Sequence, residues 1–532
     1  MNQMTPPPRL EIIPPSAPFT DGQRSWLNGF LVGLLQLDGA TPLAPGQNGV
    51  ELAPAGDTDD GEAPWHDQTL PISDRMKLAE GRPLRRRMMA AMAQQDCGQC
   101  GYNCNDYSDA IAGRAEARLN LCVPGGKETA RMLKALNEEL DRAPPASSGT
   151  APAAAEPAPT GETGRSRDNP IAATFVSRRL LNKPGSEKET WHIDFDLSGC
   201  GLDYVVGDSF GIFASNDLGH VDQIIALLGA SHTTAVRGKT LREVLVDDVS
   251  LAPAPDSLFE LLSFITGGAL REKARALGHG EDPDGDAATL DVMAALQKFS
   301  GVRPHPEAFV EALEPLQPRL YSISSSHNAT PGKLSLTVDC VRYIVGKRKR
   351  LGLASTFLAE RIKPGDQVRV YVQKAHAFAL PPDPKTPIIM IGPGTGIAPF
   401  RAFLLDRRAT GAPGKNWLFF GHQRSDCDFF YSDELNAMKT SGLLTRLSLA
   451  WSRDGAKKFY VQDRMREVGR ELWTWLAEGA NVYVCGDAQR MAKDVERALV
   501  DIVAQFGARS TDEAVSFVGE LKKKGRFQQD VY

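Results

Sequence analysis

The chain has 532 residues, 42% of them hydrophobic and 24% charged, with a formal net charge of −5 at pH 7. That length predicts about three domains, and the lack of a basic excess excludes a nucleic-acid binder. No apolar run approaches the length of a membrane helix, and the Pro-rich beginning lacks the basic-then-apolar order of a signal peptide; a cytoplasmic protein is expected. Eight cysteines are too few for a disulfide scaffold. Four of them cluster, which in a reducing compartment points to a metal or catalytic site.

In chain order, residues 1–81 form an N-terminal region. In it Thr20 and Gln23 fit a capping box, and Trp26, Phe30, Leu31, Leu34 and Leu35 follow with helical spacing. A Gly-, Pro- and Asp-rich loop spans 38–80. Residues 82–142 read as a small helical unit around the cysteines, with helices near 82–95 and 128–141; Met132, Leu133, Leu136 and Leu140 share one face of the second. Residues 143–164 are Ala, Pro, Ser, Thr and Gly with almost no large apolar residue, a semi-extended linker by composition. Strands follow over 165–383. Trp191, Ile193, Phe195 and Leu197 alternate with polar residues, and 334–343 and 366–373 read similarly. A helical insert over about 217–315 interrupts them, with helices at 221–228, 258–265 and 290–299. From 384 to 532 strand and helix alternate: strands at 388–391, 416–420 and 482–485, helices at 400–408 and 488–506. That is a doubly wound α/β domain.

The chemistry-bearing motifs lie in these last two regions. Arg319-Leu320-Tyr321-Ser322 ends a strand: Arg can neutralise a pyrophosphate, Tyr can stack on an isoalloxazine, and Ser can hydrogen-bond near flavin N5. An ordinary strand ending in a Ser-rich turn is the alternative. Gly392, Gly394 and Gly396 with Thr395 follow an apolar strand and open a helix, an arrangement that admits a phosphate or polarised group, although it is not the G-x-G-x-x-G fingerprint. Ser452, Arg453, Lys458, Tyr460 and Gln462 lie beyond the strand 447–451. Such cationic and hydroxyl groups suit a 2′-phosphate, favouring NADPH over NADH, against a merely solvated loop. Cys485 in Cys-Gly-Asp is by itself more often a buried small residue. His232, His305 and His376 show no metal-ligand spacing. Lys347-Arg348-Lys349-Arg350 reads as a solvated hairpin tip, with docking of an acidic partner as the alternative, and Arg85-Arg86-Arg87 is similar.

Residues from about 165 onward resemble the reductase module of the diflavin reductases, and above all the flavoprotein (alpha) component of assimilatory NADPH-sulfite reductase. The stretches that carry this are RLYSISSS, IIMIGPGTGIAPFRAFL, GKNWLFFGHQ, LAWSRD, FYVQDRMRE, VYVCGDAQRMAKDVERAL and DVY, spread over residues 319–532. The resemblance implies a ferredoxin-NADP reductase-like architecture: an antiparallel β-barrel for FAD and a doubly wound domain for NADP. It implies that Arg319, Leu320, Tyr321 and Ser322 bind FAD, that Thr337, Val338, Asp339 and Tyr343 line the flavin's other side, and that Gly352, Leu353, Ala354 and Ser355 wrap the pyrophosphate. Leu353 stands where that family usually has Gly. It further implies that Ser452, Arg453, Lys458, Phe459, Tyr460, Val461, Gln462 and Asp494 contact NADP, that Tyr532 stacks over the flavin and moves for nicotinamide, and that Ser322, Cys485 and Asp530 surround the point of hydride transfer.

That family carries an FMN-binding flavodoxin domain upstream, and no strand-rich phosphate loop is visible here before residue 165. Cys97, Cys100, Cys104 and Cys122 supply another one-electron exit. Their C-x2-C-x3-C-x17-C spacing, followed by Pro124-Gly125-Gly126, suits a [4Fe–4S] cluster, with zinc as the alternative. The stretch resembles the four-iron domain of the B subunit of the Rnf electron-transport complex, one residue shorter between the second and third cysteines. Cys200, Cys340, Cys427 and Cys485 are too scattered for a second cluster. The expected relay is NADPH to FAD to [4Fe–4S] to a sirohaem-containing sulfite reductase hemoprotein, with sulfide made for cysteine synthesis. Two alternatives stay open: a different acceptor such as ferredoxin, flavodoxin or another haem protein, and a zinc-stapled docking module with direct transfer from FAD.

Overall fold

The structure, a computed structural model, describes residues 63–66, 70–95, 100, 102–122, 124–142, 163–375, 378–488 and 490–532. The expected helix around Trp26–Leu35, nearly all of the linker, Cys97 and His376 lie outside the described residues. Among the described residues no helix is long and apolar enough to cross a membrane.

Four helices, Ile72–Leu78, Leu84–Ala91, Cys104–Ala112 and Gly126–Arg142, enclose a core that includes Met88, Met92, Tyr107, Ile111, Leu133 and Leu136. Pro83 precedes the second helix, where its fixed φ and missing N–H suit a helix entry. Asn103 caps the third, accepting from the Asp106 amide at 2.7 Å. The first helix lies N-terminal to the expected start at 82. It belongs to this unit because Trp65, Ala79 and Ala90 bury one another completely and Arg75 donates to the Ala90 carbonyl. The arginine run expected to be solvated is engaged instead: Arg85 with Asp109, Arg86 with Asn105 and Arg87 with Glu139.

Residues 163–375 build an antiparallel sheet from β1 (Ile171–Leu180), β2 (Thr190–Asp196), β3 (Ser209–Ile212), β6 (Arg319–Ser322), β7 (Lys333–Asp339) and β10 (Gln367–Gln373), ordered β6-β3-β10-β1-β2-β7. A bridge between Ile323 and Leu336 joins its two edge strands and closes the barrel. Period-two alternation puts Ile193, Phe195 and Leu197 inside. The strand expected over 334–343 breaks after Asp339. The Cys340 amide turns to the Glu189 carbonyl, and the chain enters a hairpin of β8 (Arg342–Val345) and β9 (Arg348–Leu351). The insert contains helices Leu218–Leu228, Leu241–Asp247, Asp256–Ile265, Gly268–Gly278, Val292–Lys298 and Pro306–Glu311, with a short ribbon of β4 (Ala235–Val236) and β5 (Lys239–Thr240), around its own apolar core.

The last domain is a five-stranded parallel sheet of β11 (Ile388–Ile391), β12 (Asn416–His422), β13 (Arg446–Trp451), β14 (Asn481–Gly486) and β15 (Phe527–Val531), ordered β13-β12-β11-β14-β15. Separate apolar cores cover its two faces, which is why every residue of β11 is buried on a strand with no polar alternation. The order reverses between β11 and β14. The crevice beyond the carboxyl ends of these two strands is where such sheets bind ligands.

Candidate functional site

β11 ends in Gly392-Pro393-Gly394-Thr395-Gly396, which tightens into a single turn and then the helix Ala398–Ala409, with Pro399 in its first turn. Gly394 has φ +59°, and a Cβ on Gly396 would sit 2.1 Å from the Cys485 carbonyl oxygen. These two glycines let the loop lie against β14, and that packing brings Thr395 to Tyr532, with the two hydroxyls 2.8 Å apart.

Register does the rest. β14 and β15 set Cys485 opposite Asp530, and β3 and β6 set Ser209 opposite Ser322. The Ser322 hydroxyl donates to Asp530 Oδ2 at 2.5 Å, and Cys485 Sγ lies 3.8 Å from the same oxygen. Burial pushes the Asp530 carboxyl above its ordinary value, partly opposed by the Ser322 hydroxyl and the Cys485 thiol. Burial and then the Asp530 charge raise Cys485 well above the usual thiol range, so it stays a thiol.

Two clefts meet here. A barrel cleft of about 430 Å³ is lined by Arg319, Leu320, Tyr321, Ser322, Thr337, Val338, Asp339, Gly352, Leu353, Ala354, Ser355, Asp530 and Tyr532. A strand-end cleft of about 740 Å³ is lined by Gly394, Thr395, Ser452, Phe459, Tyr460, Val461, Gln462, Asp494 and Tyr532. Asp339, Thr395 and Tyr532 belong to both. Tyr532 is 49% exposed and is anchored by its amide to the Gly486 carbonyl.

Three expected residues stand apart. Tyr343, on β8, lines an adjoining cavity of about 460 Å³ that shares Arg319 and Leu353 with the barrel cleft. Arg453 follows Ser452 but does not line the strand-end cleft, and is ion-paired with Glu187 of the barrel. Lys458 is exposed and does not line the cleft. The hairpin expected to be solvated folds inward: Arg348 and Arg350 pair with Asp291, whose 4% exposure demands a cation. In that adjoining cavity Arg348 Nη1, Arg350 Nε and Arg361 Nε are buried without acceptors among the described residues. Burial, with Arg348 and Arg350 next, lowers His220 beside them to about 4.

Sequence reasoning missed Lys188, His422, Asp487, Arg490 and Met491, which also line the strand-end cleft. Only Asp487 carried a signal: in Cys-Gly-Asp it accepts from the amides of Arg490 and Met491 and starts the helix Met491–Phe506.

Cys100, Cys104 and Cys122 wall one small cavity with Met92, Ala93, Gln95, Tyr102, Tyr107 and Pro124, and each cysteine is under 10% exposed. A Cβ on Gly125 would come 3.0 Å from Cys122 Sγ and 2.2 Å from Thr129 Oγ1, so backbone approaches the site closely. Burial pushes Cys100 up to about 11; a bound metal reverses that preference and takes the thiolate. Among the described residues no group of three or more His, Cys, Asp and Glu is arranged as a metal site, and Cys97 is outside them. The soft donors and apolar shell fit an iron–sulfur group or zinc.

Residues 164–267 and 284–357 match the family described as FAD binding domain, and residues 390–497 match the oxidoreductase NAD-binding domain. The chain is 42% identical over 374 residues to the sulfite reductase [NADPH] flavoprotein alpha-component of Photorhabdus laumondii subsp. laumondii, covering 70% of this chain and 62% of that protein. It is 42% identical to the component of the same name from Escherichia coli O157:H7, covering 69% and 61%. With that of Klebsiella pneumoniae subsp. pneumoniae the identity is 39% over 436 residues, covering 80% and 71%. The chain thus spans about three-fifths of the length of the first two relatives. On this likeness, and with both cofactor-domain folds in place, the chain belongs to the family of sulfite reductase [NADPH] flavoprotein alpha-components.

Proposed function

We propose that the chain is an NADPH-dependent oxidoreductase whose barrel cleft holds FAD and whose strand-end cleft holds NADPH. The observation that carries this is the meeting of the two clefts at Thr395, Asp339 and Tyr532, with Ser322, Cys485 and Asp530 gathered at the junction. Bound FAD would supply hydride acceptance and single-electron release, and a [4Fe–4S] cluster on Cys97, Cys100, Cys104 and Cys122 would supply one-electron carriage.

The chain's own residues do the rest. Arg319, with the backbone and side chains of Gly352, Leu353, Ala354 and Ser355, holds the pyrophosphate, and the orphaned guanidinium N–H groups of Arg348, Arg350 and Arg361 give its anionic half further donors. Thr337, Val338, Asp339 and Tyr343 complete the flavin's surroundings. Ser452, Arg453, Lys458, Tyr460 and Gln462 select the 2′-phosphate. Asp530, held by Ser322, places negative charge where positive charge develops on nicotinamide as hydride leaves. Tyr532 occupies the junction and swings on its backbone anchor to admit the ring. The acceptor we propose is a sirohaem-containing sulfite reductase hemoprotein in the cytoplasm, with sulfite reduced to sulfide.

The test is anaerobic: quantify iron and acid-labile sulfide in the purified chain, then follow the visible spectrum during NADPH titration. About four irons per chain, with bleaching of a flavin band and a broad cluster band, is the expected result. Zinc, or flavin bleaching alone in iron-free protein, would replace the relay with direct transfer from FAD.

A further inference from the structure

Two buried donors of the barrel have no acceptors among the described residues. Tyr371 on β10 is fully buried, and its hydroxyl has no hydrogen-bond partner among the described residues. In the segment entering β1, Nη1 of Arg167 is also buried and unpartnered among the described residues, while Nη2 of the same guanidinium is held by Gln317. Both groups are within electrostatic reach of Cys100. Their positions are fixed by the barrel. Tyr371 stands opposite Gly211, where a Cβ would lie 2.1 Å from the ring, and Gly211 stands opposite Leu320 of β6. The cysteine unit is held against this side by Arg118, which pairs at 3.0 Å with Asp168, the neighbour of Arg167.

We infer that Tyr371 and Arg167 complete the cysteine site from the neighbouring domain, donating hydrogen bonds and one positive charge to a sulfur-ligated anionic group held by the cysteines. This deepens the iron–sulfur reading proposed above and rests on it. A four-thiolate iron–sulfur group is anionic and gains one further negative charge on taking one electron, with no bond made or broken. Donors to its sulfur atoms and a nearby cation therefore stabilise the reduced form more than the oxidised one. The barrel residues raise the site's potential, and they do so only while the two domains are docked.

The experiment uses the full chain, anaerobically, as wild type, Tyr371→Phe, Arg167→Gln and Arg167→Lys. Iron and acid-labile sulfide are quantified first, and the midpoint potential is then measured by a dithionite titration followed by electron paramagnetic resonance. With iron content equal in all four, Arg167→Gln should disfavour reduction about tenfold, a fall of 59 mV for one electron. Tyr371→Phe should disfavour it about fivefold, and Arg167→Lys should stay nearer wild type because it keeps the charge. Unchanged potentials in both Arg167→Gln and Tyr371→Phe at full iron overturn the inference and leave the iron–sulfur reading standing. Wild-type protein holding zinc, or lacking both iron and sulfide, sinks the reading and the inference together at the first measurement. Tyr371→Phe removes one oxygen from a ring that keeps its packing, so it decides the matter if Arg167→Gln does not fold.

Discussion

At the junction of the two clefts, Ser322, Cys485 and Asp530 take their places from strand register, so their spacing exists before any ligand arrives. Cys100, Cys104 and Cys122 sit on a turn, a helix start and a loop of a four-helix unit, and among the described residues no strand ladder joins them. The first kind of site is pre-organised by folding; on the proposed reading the second is finished by what it binds, because metal affinity at such a site is also folding free energy. The two should therefore break differently. Cys100→Ser should bring the largest loss. Reduction of the hemoprotein should fall to background with loss of iron, while NADPH–ferricyanide activity stays near wild type, since the barrel and the parallel sheet have cores of their own. Surviving hemoprotein reduction in iron-depleted protein would show that electrons leave by another route.

The next largest effect tests the register-built side. Asp530→Asn keeps the shape but removes the charge, and should lower kcat for ferricyanide reduction about a hundredfold with little change in KM. Burial raises the Asp530 pKa, so the active carboxylate is gained as pH rises through that raised value. The acid limb of the wild-type kcat profile should lie above the ordinary aspartate range and vanish in Asp530→Asn. Because the native state holds this proton more tightly than the unfolded chain, the group's contribution to stability is present at low pH and is lost as pH rises through the same interval. A wild-type limb at the ordinary aspartate position would show that the junction is wetter than its geometry indicates.

What could be read from the sequence follows the same division. The apolar run of β11 and the glycines after it announced both the strand and the loop, because burial on two faces and close backbone approach each leave a compositional mark. Ser322, Cys485 and Asp530 came from motif resemblance rather than from period or spacing. Their contact depends on β15 pairing with β14 and β6 pairing with β3, and long-range register leaves no local signature. The Arg348–Arg350 hairpin looked solvated because charge runs usually are. The carboxylate that draws it inward, Asp291, lies 57 residues earlier than Arg348. Tyr371 and Arg167 were invisible for a simpler reason: an unpartnered donor can be recognised only when everything around it has been placed.

Arg453→Ala probes the residue next to Ser452 of the strand-end cleft. In the structure this guanidinium is paired with Glu187, so on the proposed reading the 2′-phosphate competes for it. The substitution should raise the NADPH KM about tenfold and leave NADH kinetics nearly untouched, whereas Glu187→Gln should lower the NADPH KM modestly by freeing the cation. Equal effects of Arg453→Ala on both nucleotides would remove Arg453 from 2′-phosphate recognition.

The smallest expected effect lies where the cysteine unit touches the helical insert. Arg131 grips Asp256 of the insert with two hydrogen bonds, at 2.7 and 2.9 Å, and Lys127 adds a contact at 3.5 Å. Burial alone would raise the Asp256 pKa, but the Arg131 hydrogen bond and the two cations outweigh it and leave the pKa lowered. This contact is therefore complete above the ordinary aspartate range and is lost as pH falls through the lowered value. Both partners are partly exposed, which limits the pair to about 0.2–1 kcal/mol and makes it sensitive to salt. Asp256→Asn should leave iron content and NADPH–ferricyanide turnover unchanged while increasing hydrogen exchange along Gly126–Arg142, most clearly at low ionic strength where the wild-type pair is strongest. If exchange there matches wild type at every salt concentration, the docking rests on the other contacts, Arg118 with Asp168 and Asn120 with Glu314. The Arg118 contact lies nearest Arg167 and Tyr371 in the chain and the sheet, so it would then hold the barrel's donors against the cysteine site.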